Sequence, residues 1–252
     1  MSSSVPWVEL DSYAALLAAV DRDPVVVFEV GPELLAPPLR VGDAVLFRRM
    51  TQLGWAGGMC LGPADDVARL LAGPWRTHPA WAAERSMTVR TECQDALAAL
   101  GARAVGEWSW LFVVPDEVRR RPLPDGVSVE AGLPRAHAAA FVDVEYTTRW
   151  LPPETDGEVW VALRDERGTV LGTGLAAYTP TGAIRLSSIT IAAAQRGRGL
   201  GRALTQALVD IGAHAPAVVL GVDDDNPTAA ALYAAMGFRR VHDLVSGSLQ
   251  PA

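Results

Sequence analysis

Apolar and polar residues alternate with a strand-like period in three neighbouring segments of the second half of the chain. These segments are 159–163, 170–178 and 184–191, and the short turn sequences ERG and PTG separate them. Strands joined by short turns usually pair with each other, so the pattern predicts three adjacent antiparallel strands. A shorter strand is predicted at 127–131, followed by a helix at 134–149.

After residue 191 the pattern changes from strand to helix through a glycine-rich loop. Apolar residues recur at helical spacing within 202–213. A compact apolar strand is then predicted at 217–222, a helix at 228–236 and a further strand at 238–242. This order, β, α, three strands and then αβαβ, predicts an α/β (α+β) fold with helices packed on a mixed sheet.

The clearest domain boundary lies at 114–126, where three prolines and a basic triplet interrupt the periodic pattern. We therefore expect a first domain at 1–115, a linker at 116–126 and a second domain at 127–252.

Composition excludes several classes of function. Half of the residues are hydrophobic and a fifth are charged, which is typical of a globular protein. The net charge of −7 argues against a nucleic-acid partner and tolerates a cationic substrate such as an amine. Two cysteines and four scattered histidines predict neither a disulfide framework nor a metal site. We find no secretory leader and no membrane-spanning segment, so we expect a cytoplasmic protein without a membrane partner.

The glycine-rich loop carries the strongest chemical pattern. Glycines at every second position let the backbone turn tightly and approach a ligand, and they open the helix that follows. Unpaired N–H groups and the positive end of the helix dipole then suit a pyrophosphate. A flexible turn with solvated arginines remains the alternative. The loop residues are Arg196, Gly197, Arg198, Gly199, Leu200, Gly201 and Arg202.

Two other phosphate-binding patterns do not fit this loop. The dinucleotide fingerprint requires the spacing Gly-x-Gly-x-x-Gly, whereas Gly197, Gly199 and Gly201 are spaced by one residue each. The chain also lacks a Gly-Lys-Ser/Thr sequence of the kind that binds ATP. Phosphate binding is therefore retained as a prediction, and NAD and ATP are disfavoured.

Two motifs resemble those of the GNAT superfamily of N-acetyltransferases. Residues 195–201, QRGRGLG, resemble the Arg/Gln-x-x-Gly-x-Gly/Ala loop that binds the acyl-CoA pyrophosphate in that family. Residues 226–238, NPTAAALYAAMGF, resemble its second motif of Asn, Ala, Leu-Tyr and Gly-Phe. The resemblance covers about residues 127–245, and it implies the GNAT fold, with a splayed strand pair, and acetyl-CoA as co-substrate.

The same resemblance implies roles for individual residues. The backbone of the strand before the loop would pair with the pantetheine arm, which places Ile189, Thr190 and Ile191 against acetyl-CoA. Asn226 would orient that arm, and the Tyr233 hydroxyl would protonate the leaving thiolate, for which a neutral O–H donor is suited. A tyrosine packed in the core is the alternative for Tyr233.

The chain departs from the family pattern at the position of the general base. Family members often carry a glutamate on the strand before the loop, but the segment 184–191, IRLSSITI, has no carboxylate. Glu145 is our candidate, with Glu154 and Asp156 behind it, although each could be a solvated surface acid and a water chain could serve instead. The acidic run 223–225 either attracts a cationic substrate or ends a strand.

The first half of the chain contains a fainter copy of the second. Residues 98–105, AALGARAV, align with 234–241, AAMGFRRV, at an offset of 136 residues. At that offset the phosphate loop falls on 60–65, CLGPAD, where the arginines and two of the glycines are missing. Leu97 stands in place of Tyr233. The first half is thus interpreted as a degenerate GNAT-like domain that has lost CoA binding, with an unrelated α/β domain as the alternative.

These patterns together predict an N-acetyltransferase that transfers an acetyl group from acetyl-CoA to a primary amine of a small molecule in a ternary complex. The alternatives are a non-catalytic acyl-CoA-binding sensor or interaction module and a protein or peptide N-acetyltransferase. A homodimer is left open. Because the sequence after Val245 is short and polar, the last strand of the second domain could come from the first half or from a partner chain.

Overall fold

In a computed structural model, the structure describes residues 7–50, 56–145 and 157–249. Short 3₁₀ helices lie at Pro74–Thr77, Thr91–Cys93, Pro115–Glu117 and Ala193–Gln195. The first part of the chain contains β1 (Val8–Glu9), α1 (Tyr13–Ala19), α2 (Pro24–Glu29), β2 (Leu39–Val41), β3 (Ala44–Met50), β4 (Ala56–Leu61), α3 (Ala64–Ala72), β5 (Ser86–Arg90), α4 (Gln94–Ala99) and β6 (Arg103–Val113). The second part contains β7 (Ser128–Ala131), α5 (Arg135–Glu145), β8 (Val159–Arg164), β9 (Val170–Tyr178), β10 (Ile184–Ile191), α6 (Leu200–Ile211), β11 (Val218–Asp223), α7 (Pro227–Met236) and β12 (Arg239–Ser248).

The chain forms two compact units whose boundaries differ from the predicted ones. The described residues of the first unit are 7–50, 56–110 and 241–249, and those of the second are 111–145 and 157–240. Segment 111–126 therefore belongs to the second unit, and the end of the chain belongs to the first. The predicted domains 1–115 and 127–252 have to be corrected at these ends, because long-range strand pairing and not chain order decides which residues pack together.

The sheet of the first unit runs in the order β1-β2-β3-β4-β5-β12. Its neighbours are antiparallel except for β4 and β5, which are parallel with Gly58 opposite Met87 and Cys60 opposite Val89. Amphipathic α3 contributes Val67, Leu70 and Leu71 to the core beside this sheet. The frame of this unit is thus an antiparallel sheet with one internal parallel pair, β4–β5.

The sheet of the second unit runs in the order β11-β10-β9-β8-β7. Antiparallel pairs join β7 to β10, and β10 is parallel to β11. Helix α6 packs so closely on the sheet that a Cβ built on Gly174 of β9 would lie 2.7 Å from Leu208 Cδ1. Its apolar face is buried through Leu200, Leu204 and Leu208, each of which stabilises the fold by roughly 2 kcal/mol.

Most elements predicted for the second half are confirmed within a residue or two. Strands β9 and β10 have the predicted bounds. The helix predicted at 134–149 is observed over Arg135–Glu145, and its predicted continuation lies outside the described residues.

The segment 116–126, predicted to be a linker, is bound along the second unit. The Arg119 N–H donates to the Met236 carbonyl at 2.9 Å. Gln206 of α6 accepts from the Arg121 N–H at 2.9 Å and donates to the Arg121 carbonyl at 2.8 Å. Arg120 forms an ion pair with Asp210. Prolines ended the periodic pattern here, but side chains of α6 hold the segment in place.

The final strand is longer than the sequence predicts. The segment 238–242 was expected to be a strand with a short polar tail, whereas β12 continues to Ser248. Residues Leu244–Ser248 pair with β5 over the register Leu244–Arg90 to Ser248–Ser86. The backbone hydrogen bonds of this ladder hold polar residues in a strand whatever their side chains.

Candidate functional site

The loop between β10 and α6 comprises residues 192–199 and turns twice through left-handed backbone. Gly197 has φ 77° and Gly199 has φ 78°, a region that side chains with a Cβ rarely adopt. A Cβ built on either glycine would meet nothing within 4 Å. Backbone conformation, and not crowding within the chain, therefore selects glycine at these two positions, and the space above them is open.

Helix α6 begins directly at this loop with no side chain to cap it. Gly199 is the N-cap residue, and no side-chain hydrogen bond to the first turn is formed within the described part of the chain. The first turn of a helix has N–H groups without intrahelical acceptors, and the dipole adds partial positive charge there. Leu200, 1% exposed, anchors the turn in the core. The start of α6 is thus anchored in the core by Leu200, and its free N–H groups are suited to an anion on the open side of the loop.

The three arginines of the loop are placed differently from one another. The Arg196 Nε–H donates to the Ile191 carbonyl at 3.2 Å, and Arg198 hydrogen-bonds the Gln195 side chain. Both residues are exposed beside the open loop. Arg202 instead donates to the Arg119 carbonyl at 3.0 Å. Burial, and secondarily the charge of Arg121, lower the pKa of Arg202 from its ordinary value.

The parallel pair β10–β11 opens towards the loop. The two strands pair only from Ile184–Val218 to Leu186–Leu220, although β10 continues to Ile191 and β11 to Asp223. The cause is an irregularity in β10 between Ser187 and Thr190, where Ser188 has φ 51°. Such a bulge bends a strand and interrupts its ladder. Ile189, Thr190 and Ile191 therefore lie on the splayed part of β10.

Helix α7 is packed against the start of α6. A Cβ built on Gly201 would lie 3.2 Å from Leu232 Cδ2, so a larger residue there would require the Leu232 side chain to shift by a few tenths of an ångström. Asn226 is the N-cap of α7 and accepts from the Ala229 N–H at 3.1 Å through its side-chain oxygen. Its side-chain NH₂ is left as the group that could donate to a ligand. Tyr233 is 7% exposed and its ring centroid lies 5.6 Å from that of Phe238.

The described residues give no contact between a candidate general base and this site. Glu145 is the last residue of α5, and only its backbone is described. Glu154 and Asp156 lie outside the described residues. Asp223 ends β11 on the splayed side. Partial burial raises the pKa of Asp223, and the neighbouring Asp225 and Asp224 raise it further.

Sequence reasoning missed two features of the site. One is Ser188, whose left-handed backbone opens β10; serine has no strong preference for that conformation, so the pattern carried no signal. The other is Gln206, which is buried and binds the backbone of Arg121. A buried glutamine on the apolar face of a predicted helix was the only available sign of it.

The described residues hold no group of three or more histidine, cysteine or acidic side chains able to bind a metal ion. Both cysteines, Cys60 and Cys93, are free and buried. None of the described helices has the length and apolar character needed to cross a bilayer.

Comparison with known proteins gives a family match within the second unit. Residues 131–238 match the model of the Acetyltransferase (GNAT) family. A mycothiol acetyltransferase from Parafrankia sp. (strain EAN1pec) is 32% identical over 158 residues, which are 51% of this chain and 48% of that protein. The match thus spans about half the length of this curated relative.

Solved structures resemble the chain over nearly its whole length. A GCN5-related N-acetyltransferase from Kribbella flavida has a TM-score of 0.59 at 18% identity, over 95% of both chains. A tandem GNAT protein from the clavulanic acid biosynthesis pathway has a TM-score of 0.54 at 13% identity, over 98% of both chains. At such identities the likeness concerns the fold alone, and it extends to the first unit.

The predicted fold class is confirmed: a mixed sheet with a splayed strand pair, preceded by a second GNAT-like half. The glycine loop and the splayed β10–β11 pair both lie within residues 131–238, the segment of the second unit that matches the Acetyltransferase (GNAT) family.

Proposed function

We propose that this protein is an acyl-CoA-dependent N-acetyltransferase that transfers the acetyl group of acetyl-CoA to a primary amine of a small molecule. The observation that carries the proposal is the uncapped start of α6 beneath two left-handed glycines, next to the opening between β10 and β11. The name of the mycothiol acetyltransferase relative supports a small-molecule acceptor.

The residues of the loop fit the pyrophosphate of acetyl-CoA. The open space above Gly197 and Gly199 would admit phosphate oxygens, and the first-turn N–H groups of α6 would donate to them. Arg196 and Arg198 would add charge, since each is exposed and uses one guanidinium nitrogen in its hydrogen bond to Ile191 or Gln195. Arg202 would act indirectly, by fixing the Arg119 backbone beside α6.

The opening between the strands fits an extended chain that forms backbone hydrogen bonds. Ile189, Thr190 and Ile191 have left the β11 ladder, so part of their backbone is released towards the opening. A pantetheine arm carries two amides that could pair there as a further strand would. Asn226 would donate its remaining N–H groups to the same arm.

Acetyl-CoA, when bound, supplies a thioester carbonyl that an amine can attack. The amine must be neutral, because a protonated nitrogen has no lone pair. We propose Glu145, or a water that it holds, as the proton acceptor, and the Tyr233 hydroxyl as the donor to the departing sulfur. The acidic run Asp223–Asp225 at the end of β11 would favour a cationic amine near the opening.

A second candidate is an acyl-CoA-binding sensor without turnover. Two observations favour it: β10 carries no carboxylate, and the ring of Tyr233 packs in the apolar core with Phe238. A sensor would bind acetyl-CoA through the same loop and release no CoA with any amine.

Titration of acetyl-CoA by calorimetry, followed by measurement of CoA release with a library of small amines, tests both candidates. In the wild type we expect micromolar binding and amine-dependent release. Gly199→Asp keeps a residue that tolerates left-handed backbone and caps helices, but it sets a carboxylate against the phosphates, so affinity should fall at least about a hundredfold.

Gly182→Asp is the matched control, because Gly182 also has positive φ (80°) and open space around it. It precedes β10, whereas the loop follows β10, so the eight residues of the strand separate the two sites by about 25 Å. Folded wild type that fails to bind acetyl-CoA would contradict both candidates, and binding without CoA release from any amine would favour the sensor.

A further inference from the structure

The first unit contains a cavity of about 580 Å³ that the acetyltransferase proposal does not use. It lies where β4 and β5 end, since Leu61, Gly62 and Arg90 line it. The other walls come from α1 and the turn after it, from the β2–β3 turn and from His242 of β12. This volume falls within the usual range of small-molecule sites.

One wall of the cavity is fixed by a partly buried pair, His242 and Asp23. His242 Nε2 lies 2.7 Å from Asp23 Oδ2, and their side chains are 10% and 15% exposed. The other carboxylate oxygen of Asp23 accepts from the Val25 N–H at 2.9 Å, which caps α2. Because both oxygens of Asp23 are engaged, this side of the cavity is rigid and its charges are largely satisfied.

A second pair at the rim is satisfied as well. Arg40 binds Asp43 at 3.3 Å and donates to the Gly42 carbonyl at 2.7 Å. The neighbouring start of α3 is closed to anions, because the Asp66 carboxylate stands in its first turn and accepts from the Asp43 N–H at 2.8 Å. A phosphorylated ligand is therefore disfavoured at this end of the strands.

Two charges of opposite sign remain for a ligand. The Asp21 carboxylate forms no hydrogen bond or ion pair within the described part of the chain, and its backbone is held in the left-handed region at φ 49°. Asp21 also follows the carboxyl end of α1, where a helix dipole favours a cation. Arg90 uses one nitrogen to bind Glu92, which does not line the cavity, and keeps its other N–H donors.

We propose that this cavity binds a free amino acid. Arg90 would hold the carboxylate in the forked geometry that a guanidinium provides, and Asp21 would hold the ammonium group. The apolar residues among the lining, Leu10, Ala15 and Leu61, would contact the side chain. An uncharged ligand would use neither the Asp21 carboxylate nor the remaining Arg90 donors, and a purely anionic or cationic ligand would use only one of them.

The test is a calorimetric screen of the twenty amino acids against the full-length protein. We expect at least one to bind with a Kd of about 1 mM or below. Its decarboxylated amine and its deaminated acid should each bind at least about tenfold more weakly, because each loses one charged contact. Asp21→Asn, which tolerates the left-handed backbone, and Arg90→Gln should weaken binding at least about tenfold.

Two exposed residues outside the lining provide controls for lost charge: Glu33→Gln and Arg103→Gln should leave the affinity unchanged. Acetyl-CoA titrations on the same samples keep the two proposals separate, since Gly199→Asp should abolish acetyl-CoA binding and preserve amino-acid binding. The proposal is overturned if no amino acid binds at ~10 mM to the folded protein. Binding that survives both Asp21→Asn and Arg90→Gln overturns it equally.

Discussion

The two halves of the chain use the same sequence of elements around different loops. Strand, loop, helix, strand, helix and strand recur as β4-α3-β5-α4-β6 and as β10-α6-β11-α7-β12. The predicted offset of 136 residues joins the first residues of α3 and α6, Ala64 and Leu200, and those of β6 and β12, Arg103 and Arg239. The starts of this helix pair and of this strand pair therefore agree with the repeat that was inferred from a few identities.

The loops differ in length and charge. Two residues, Gly62 and Pro63, join β4 to α3, whereas the eight residues 192–199 join β10 to α6. The α3 turn carries Asp65 and Asp66, and the latter binds Arg69 and the Asp43 N–H. At the offset of 136 residues, Asp65 and Asp66 correspond to Gly201 and Arg202, so the start of the first helix carries negative charge that the second lacks.

The parallel strand pairs β4–β5 and β10–β11 differ in how far they stay hydrogen-bonded. β4 and β5 pair until one residue before each strand ends, at Cys60 and Val89, whereas β10 runs five residues beyond its last pair with β11. A repeated frame can thus keep its strands and helices without the opening and without the residues of the proposed anion site. This supports the interpretation of the first unit as a GNAT-like half without CoA binding.

The largest effect expected from this comparison concerns Tyr233 and its counterpart Leu97. Tyr233→Phe should lower the rate of CoA release about a hundredfold with little change in acetyl-CoA affinity, because a phenyl ring keeps the packing and loses the proton. Steady-state kinetics with a good amine and calorimetry with acetyl-CoA measure the two quantities. Leu97→Met is the matched control in the first copy, and unchanged turnover in Tyr233→Phe would reduce Tyr233 to a core aromatic.

A smaller loss is expected when the loop arginines are neutralised. Arg196→Gln and Arg198→Gln should each weaken acetyl-CoA binding about tenfold at low salt, and the effect should shrink as salt rises. Titrations at two ionic strengths measure this. Arg69→Gln on α3 removes the same charge in the first unit and should leave the affinity unchanged. Equal losses from all three variants would contradict the difference between the loops.

Arg202 should behave as a structural residue, unlike its two neighbours. Arg202→Gln removes the hydrogen bond to the Arg119 carbonyl, so we expect unfolding in urea to become easier by about 1 kcal/mol and acetyl-CoA affinity to change less than about threefold. A loss of affinity as large as that of Arg196→Gln, with unchanged stability, would place Arg202 at the phosphates instead.

The smallest effect is expected at Asp66, in the first copy. Hydrogen bonds from the Asp43 N–H and from Arg69 lower the pKa of Asp66 from its ordinary value. Its charged form therefore stabilises the fold above the unfolded-state pKa, and this contribution is lost as the pH falls through the folded-state pKa. Urea unfolding of Asp66→Asn should show a slight loss of stability at pH 7 that disappears in acid. A loss that persists in acid would assign Asp66 a role independent of charge.

Several parts of the site could be predicted because local chemistry dictates them. Glycine at 197 and 199 favours a tight turn, because glycine adopts left-handed backbone without steric cost. Asn226 before Pro227 indicates a helix start, because asparagine caps helices and proline suits the first turn. The strands β9 and β10 followed from their periodicity alone. Ser188 could not be predicted, because a serine in a strand gives no sign of left-handed backbone.

By itself, the sequence determined the order of the elements in the second unit, the glycine loop at the start of α6 and the repeat that relates the two halves, since all three depend on periodicity, residue type and spacing. Only the tertiary structure decided that β12 pairs with β5, that 116–126 is held by Gln206 and Arg202, and that β10 opens at Ser188. These features depend on hydrogen bonds between residues far apart in the chain, which no local pattern specifies.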